Sequence, residues 1–344
     1  MLTNRHRSNP HPGLLSRVIL LLVVTCSATA FACQVPVFRY ALERWNADRY
    51  RIVVLHDAPL NKSQSAALAR LRQAAETDHG LSASVDVQIL DVKTKAKDGL
   101  SDAMLSRWKA HNDSSTPLVL VNYPRANNVG RTAPMFEAEL TGSAVESLLD
   151  SPVRKEIVRR LGSGDSAVWI FVPSGREADD TAARERLAKQ LQADQKWMEL
   201  PSPEELEVKP EILEQVRVPL KIQFSIVTLN RDDPAEQFLL QSLLNSEEDL
   251  LDFDQPLAFP VFGRGRVLYA LVGRGIVSDT IRSASAFMAG PCSCQVKNQN
   301  PGFDLLLRSN WDKTIGDVLI SEPVESVDRD ANAPTLLTIP PGRN

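Results

Sequence analysis

The same order of strand and helix patterns is written twice along this chain of 344 residues, and that repetition limits its fold more than any single motif does. The first copy opens on Arg51-Ile52-Val53-Val54-Leu55, an apolar, β-branched run of strand length. Ala67, Leu68, Leu71, Ala74 and Ala75 follow at the spacing that sets them on one helical face. Residues 85–92 alternate as a second strand, residues 103–109 read as helix, and Thr116-Pro117 leads into a third apolar run at 118–121. Residues 135–140 supply a fourth strand. Val145, Leu148, Leu149, Ile157, Val158 and Leu161 then line two short helices, the second opened by Pro152, where a missing N–H costs nothing. The order is β-α-β-α-β-β-α.

After the flexible junction Gly162-Ser163-Gly164, that order returns. Residues 167–172 read as strand, and Ala183, Leu187 and Leu191 recur every fourth residue on the next helix. An acidic, proline-flanked stretch at 203–218 has the character of an insertion. Residues 220–229 then read as strand and 235–251 as helix. Gln255-Pro256-Leu257 stands where Thr116-Pro117-Leu118 stood in the first copy. A hairpin turning on Gly263-Arg264-Gly265-Arg266 returns along 267–272, its glycines supplying positive φ, and Pro260 inside the outgoing strand predicts an edge or a bulge. Ser278 or Asp279 is expected to cap a last helix that Gly290-Pro291 stops.

The pattern predicts an α/β fold of two tandem units with mixed sheets, at 48–162 and 165–299. A lead-in segment at 33–47, with Phe38, Leu42 and Trp45 at helical spacing, is expected to pack on the first unit. Residues 300–320 are expected to pack back on the second, and the polar, proline-bearing tail 321–344 to be disordered. In order of elements, and in the proline opening each third strand, both units resemble the thioredoxin fold. The resemblance implies that this proline, usually cis, faces a Cys-x-x-Cys at the start of the unit's first helix, where the helix N-terminus lowers a thiol pKa. Here those loops read His56-Asp57-Ala58-Pro59-Leu60-Asn61 and Pro173-Ser174-Gly175-Arg176-Glu177, with no cysteine in either. Thioredoxin-like tandems without their cysteines typically bind or space other proteins. The resemblance therefore implies a non-catalytic binding or scaffolding protein of the cell envelope, with an envelope protein as partner.

The N-terminal residues point to export. Arg5, Arg7 and Arg17 precede an apolar run and small residues ending in Ala30-Phe31-Ala32, the pattern of a signal peptide spanning 1–32. The run is shorter than the roughly 20 residues a membrane span needs. Cys33, next after the cleavage point, resembles the lipid-bearing cysteine of bacterial lipoproteins, although Ala30 and Phe31 depart from that pattern; ordinary release fits the A-x-A motif as well. A periplasmic or lipid-anchored protein is expected, touching a membrane only through a lipid on Cys33. With residues 1–32 and their three arginines removed, 36 basic side chains face 43 acidic ones, a net charge of 36 minus 43, or -7, which argues against a nucleic-acid surface. Hydrophobic residues at 43% supply a sizeable core.

Cys292 and Cys294, separated only by Ser293, are the most chemical feature of the sequence. Three readings stand: a structural pair, with one of them bonded to a distant cysteine such as Cys33 or both simply buried; a strained redox pair; or, with Met288, soft ligands for copper. The second and third define the alternative function, a thiol-disulfide oxidoreductase or copper-handling protein; otherwise no cofactor or metal is expected. Arg264, Arg266 and Arg274 are expected to form a small basic patch that contacts a carboxylate of a partner or a lipid headgroup. His56 and Asp57 are neighbours that strand geometry points apart, which favours a loop-ending polar pair over a general base.

Overall fold

The computed structural model describes residues 34–76, 81–93, 99–111, 116–124, 133–292 and 296–321. The expected signal peptide, Cys33, Cys294 and the tail beyond Ser321 lie outside these residues. The fold is mixed α/β. In the first half, β1 (Tyr50–His56) is followed by α2 (Lys62–Ala75), after an opening helix α1 (Val37–Arg44). Next come β2 (Ser82–Ala83), β3 (Val85–Asp91), α3 (Asp102–Ala110), β4 (Leu118–Asn122), β5 (Phe136–Glu139), α4 (Gly142–Leu149) and α5 (Pro152–Gly162). The second half holds β6 (Ala167–Val172), α6 (Glu177–Trp197), α7 (Pro210–Gln215), β7 (Phe224–Thr228), α8 (Gln237–Leu244), β8 (Leu257–Phe262), β9 (Arg266–Val267), β10 (Leu271–Val272) and α9 (Ser278–Ala289). β11 (Phe303–Asp304), β12 (Arg308–Ser309) and α10 (Trp311–Ile315) close the described chain.

Two mixed sheets result. In the first the order is β3-β1-β4-β5, with β1 parallel to β3 and antiparallel to β4. In the second the order is β11-β9-β8-β6-β7, with β10 also on β8; β6 is parallel to β7 and antiparallel to β8. In each half the first strand therefore lies between the second and the third. Such a central strand is covered on both faces, which is why it reads as a continuous apolar run and not as an alternation. Along β1, Tyr50, Ile52 and Val54 enter one cluster, while Val53 and Leu55 enter another with Leu118, Leu120 and the partly buried Met104 and Trp108. The first cluster continues without a break into the second half, through Ile170, Phe238, Phe259 and Trp311.

Local chemistry explains where elements start and stop. The helix expected over 235–251 is shorter, because Asn245 donates its side-chain amide to the Gln241 and Met135 carbonyls and Ser246 its hydroxyl to the Leu243 carbonyl, closing α8 early. The return strand after the hairpin is split into β9 and β10. Pro260 causes the gap: its carbonyl accepts from Leu268 N–H at 3.1 Å, but it has no N–H to give back on that side. Gly263 and Gly265 do take positive φ, at 59° and 106°. The last helix is capped neither by Ser278 nor by Asp279. Val277 holds the N-cap position, and Thr280 Oγ1, 3.3 Å away, accepts from its N–H.

The lead-in segment forms a helix, as its spacing predicts, but its hydrogen bonds reach the second half. Val37 N–H donates to Gly290 O at 2.9 Å, Arg39 Nη1 donates to Val218 O at 2.6 Å, and a Cβ on Gly263 would stand 2.6 Å from that of Ala41. Amphipathic spacing specifies that a face is buried, not against what. The closing segment also exceeds its expected role. β11 pairs with β9 of the second half, but β12 pairs with β2 of the first, and Tyr50 on β1 donates its hydroxyl to Asp304 O at 2.7 Å. Desolvation pushes that tyrosine's pKa well above its ordinary value.

On α5, Glu156 accepts from Arg159 Nε and Nη2, each at 2.7 Å, and from Arg160 Nε at 2.6 Å. The hydrogen bonds from Arg159 and then Arg160 hold its carboxyl down, from 4.5 to about 2. A carboxyl lowered in the folded state stabilises above its unfolded pKa and loses that stabilisation as pH falls toward the folded one. The group is solvated, so the gain is below about 1 kcal/mol. Denaturant titrations of wild type and Glu156→Gln are expected to differ by that amount at pH 6 and to converge as pH falls from about 4.5 to about 2.

Candidate functional site

The loops after β1 and β6 are where the resemblance noted in the sequence would place a reactive thiol, and both are closed by their own side chains. In the first, Asn61 Oδ1 accepts from Gln64 N–H and Gln64 Oε1 accepts from Asn61 N–H, each at 2.9 Å, a reciprocal cap on α2. His56 Nδ1 lies 3.0 Å from Ala58 O, while Asp57 pairs with Lys93 at 3.2 Å, so the two neighbours take different partners. In the second loop Asp180 reaches back from α6. Its Oδ1 accepts from both the N–H and the hydroxyl of Ser174 at 2.7 Å, and its Oδ2 from Gly175 N–H at 2.9 Å. The amides that could hold an anion there already hold this carboxylate.

Two arginines tie the second loop to the segment before β8. Arg176 donates to Asp179 at 2.7 Å and to Asp254 at 2.8 Å. Arg231 bridges Pro173 O at 3.0 Å and Gln255 O at 3.2 Å, and desolvation by burial lowers its pKa. Sequence reasoning did not single out Asp180, Arg176 or Arg231, whose partners lie across loops. Pro117 and Pro256 occupy equivalent places: each carbonyl accepts from the strand on the far side of its neighbour, Pro117 from Leu140 N–H at 2.9 Å and Pro256 from Gly273 N–H at 2.8 Å. Both follow trans peptide bonds, unlike the usual thioredoxin-like proline.

Cys292 lies elsewhere. Gly273 at Pro256 is close to the start of α9, whose 12 residues carry the chain about 18 Å before Cys292 is reached. There Cys292 is 1% exposed, and its N–H donates to Val35 O at 3.0 Å. Met288 is fully buried on α9. Cys294, the other member of the redox and copper alternatives, lies outside the described residues, as does the lipid candidate Cys33.

The three arginines do not present a common open surface. Arg266 is 5% exposed and spends its guanidinium on Pro301 O, Asn300 O and Asp304, over the Trp45 ring. Arg264 donates to Leu42 O at 2.8 Å, to Asn46 at 3.0 Å and to Glu43 O at 3.2 Å. Burial lowers its pKa. Only Arg274 is exposed, in the short turn before α9. A run of Arg and Gly in sequence carries no sign of which arginine turns inward to satisfy carbonyls.

Two clefts were not legible in the sequence because their walls come from distant segments. One, of about 250 Å³, is lined by Tyr123, Ser246, Glu247, Leu268, Tyr269 and Phe303, together with Gly302. Burial raises the pKa of the Tyr269 hydroxyl. The other, of about 570 Å³, lies along β1 and β3 between Arg49, Arg51, Asp86 and Gln88, where Arg49 pairs with Asp86 at 2.6 Å. Among the described residues no helix is long and apolar enough to cross a membrane. Comparison with known proteins adds no relative: no family model matches the chain, and no curated protein is significantly similar to it.

Proposed function

We propose that this chain is a non-catalytic binding or spacing protein of an exported compartment, built from two thioredoxin-like units that carry no thiol at the customary place. Support for the units comes from the strand order second-first-third-fourth, present in both sheets with a parallel first pair and an antiparallel third strand. The observation that carries the functional reading is the loop before α6. There a carboxylate from the helix itself occupies the amides at which a reactive sulfur anion would otherwise be stabilised. The partner is an envelope protein held by surface contacts, and neither unit transfers electrons.

The test is an insulin-reduction assay under dithiothreitol, run on the exported protein and on the double variant Cys292→Ser, Cys294→Ser. Both are expected to leave the reduction at its uncatalysed rate. Acceleration by the wild type that the double variant loses would replace this reading with a thiol-disulfide oxidoreductase. Copper retained by the wild type through gel filtration, and lost from the variant, would replace it with a metal-handling role.

A further inference from the structure

The cleft of about 250 Å³ joins four segments that meet only in the folded chain: Tyr123 follows β4, Glu247 lies beyond the end of α8, Tyr269 stands between β9 and β10, and Phe303 opens β11. Its aromatic wall is fixed by contacts of its own. Tyr123 donates its hydroxyl to Ser242 O at 2.6 Å, and its ring meets that of Phe303 edge to face, with centroids 5.9 Å apart and planes at 86°. Gly302 takes φ 101° and runs so close to β9 that a Cβ there would collide with the Val267 carbonyl, and this approach brings Phe303 against Tyr123. The rest of the lining carries charge. Glu247 is exposed, and among the described residues no ion pair or hydrogen bond engages its carboxylate. Glu248 and Asp249, the next two residues, are exposed as well and add negative potential close by. None of the described residues that line the cleft is basic.

We propose that this cleft is a binding site for a small organic cation bearing an alkylated ammonium group. Aromatic rings offer a cation their negative faces, and Glu247 supplies the countercharge. A divalent metal ion would ask for about six oxygen ligands, where the lining holds one carboxylate. A bare ammonium has three N–H donors, and that single carboxylate cannot replace all the water they would lose. A fully methylated ammonium has no N–H to satisfy, so rings and one carboxylate suffice. The volume lies below the roughly 300–1,000 Å³ of clefts that hold drug-sized ligands, and so suits a head group of a few heavy atoms.

The site is separate from the loops considered above. The Tyr123 ring lies 6.2 Å from that of Tyr50, which begins β1, whereas the first of those loops leaves the other end of the strand, about 20 Å away. Occupancy of the cleft therefore asks nothing of the partner-binding function proposed above, and none of that function's assays enters its test.

Calorimetric titration of the full exported chain with choline is expected to give saturable binding. The neutral isostere of choline, with tert-butyl in place of trimethylammonium, is expected to give none. Tyr269→Ala should weaken choline binding about tenfold and Tyr269→Phe leave it within about twofold, because the ring face meets the cation. Glu247→Gln, a change at an exposed position, should weaken binding several-fold and flatten its salt dependence without touching the core. Choline binding alone assigns the site to a free solute. Added sedimentation with phosphatidylcholine vesicles, and not with phosphatidylglycerol vesicles, assigns it to the same group on a lipid. No saturable binding, equal binding of the isostere, or wild-type affinity in both Tyr269→Ala and Glu247→Gln would overturn the proposal.

Discussion

Glu43→Ala is expected to lower the unfolding free energy by about 3–5 kcal/mol, the cost of leaving a buried charge without its partner. The Glu43 side chain is fully buried beside that of Arg39, which is 1% exposed, at 2.6 Å. Its other lone pairs accept from Ser321 N–H at 2.8 Å and from Ile320 N–H at 3.2 Å. Alanine would strip one cation, two backbone donors and the Ser321 hydroxyl of their acceptor, at the point where the closing segment is fastened to α1. The loss is readable as a lower denaturant midpoint. Arg39→Met combined with Glu43→Leu should recover part of it, because an apolar pair of similar volume removes both desolvation costs. A single variant within about 0.5 kcal/mol of wild type would mean the pair is not buried in solution.

Trp169→Ala is expected to cost about 3–5 kcal/mol, and Trp169→Phe markedly less. Trp169 is fully buried in the middle of β6, between Ile226 of β7 and Pro260 of β8. Alanine removes most of the apolar surface and leaves a void in a strand that cannot collapse, held on both sides by its ladder. The indole N–H has no hydrogen-bond acceptor among the described residues. Phenylalanine therefore gives up ring area but also removes a buried donor that has cost stabilisation. Urea unfolding of the two variants gives the comparison; equal losses would show that the indole N–H is bonded in solution.

The parts of the fold that were legible in the sequence are those written in local periodicity. β1, β4, β6 and β8 announce themselves as apolar runs because each is central in its sheet and buried on both faces. Pro152 is legible for the opposite reason, since a residue without an N–H restricts its place wherever it falls; Pro260 misleads, for it stands in β8, an interior strand, and interrupts the pairing on one side without marking an edge. What periodicity leaves out is the identity of the partner. Phe38, Leu42 and Trp45 fixed a helix but not the half it joins. Arg264 and Arg266 read as surface charge until carbonyls at 300, 301 and 42 surround them. At the candidate site the absence of cysteine was legible from the residues of the two loops themselves. The groups that stand in its place were not, because Asp180 acts on a loop six residues behind it and Arg231 on two loops at once.

The sharing of elements between the halves bears on how the molecule could be divided. α1 precedes the first half in the chain and rests on the second, while β12 follows the second and completes a ladder with β2 of the first. A gene cut at the Gly162-Ser163-Gly164 junction would therefore not yield two self-sufficient pieces. Each fragment would carry away a part of the other's covering, and the native surface would be restored only where the two are made together and reassociate.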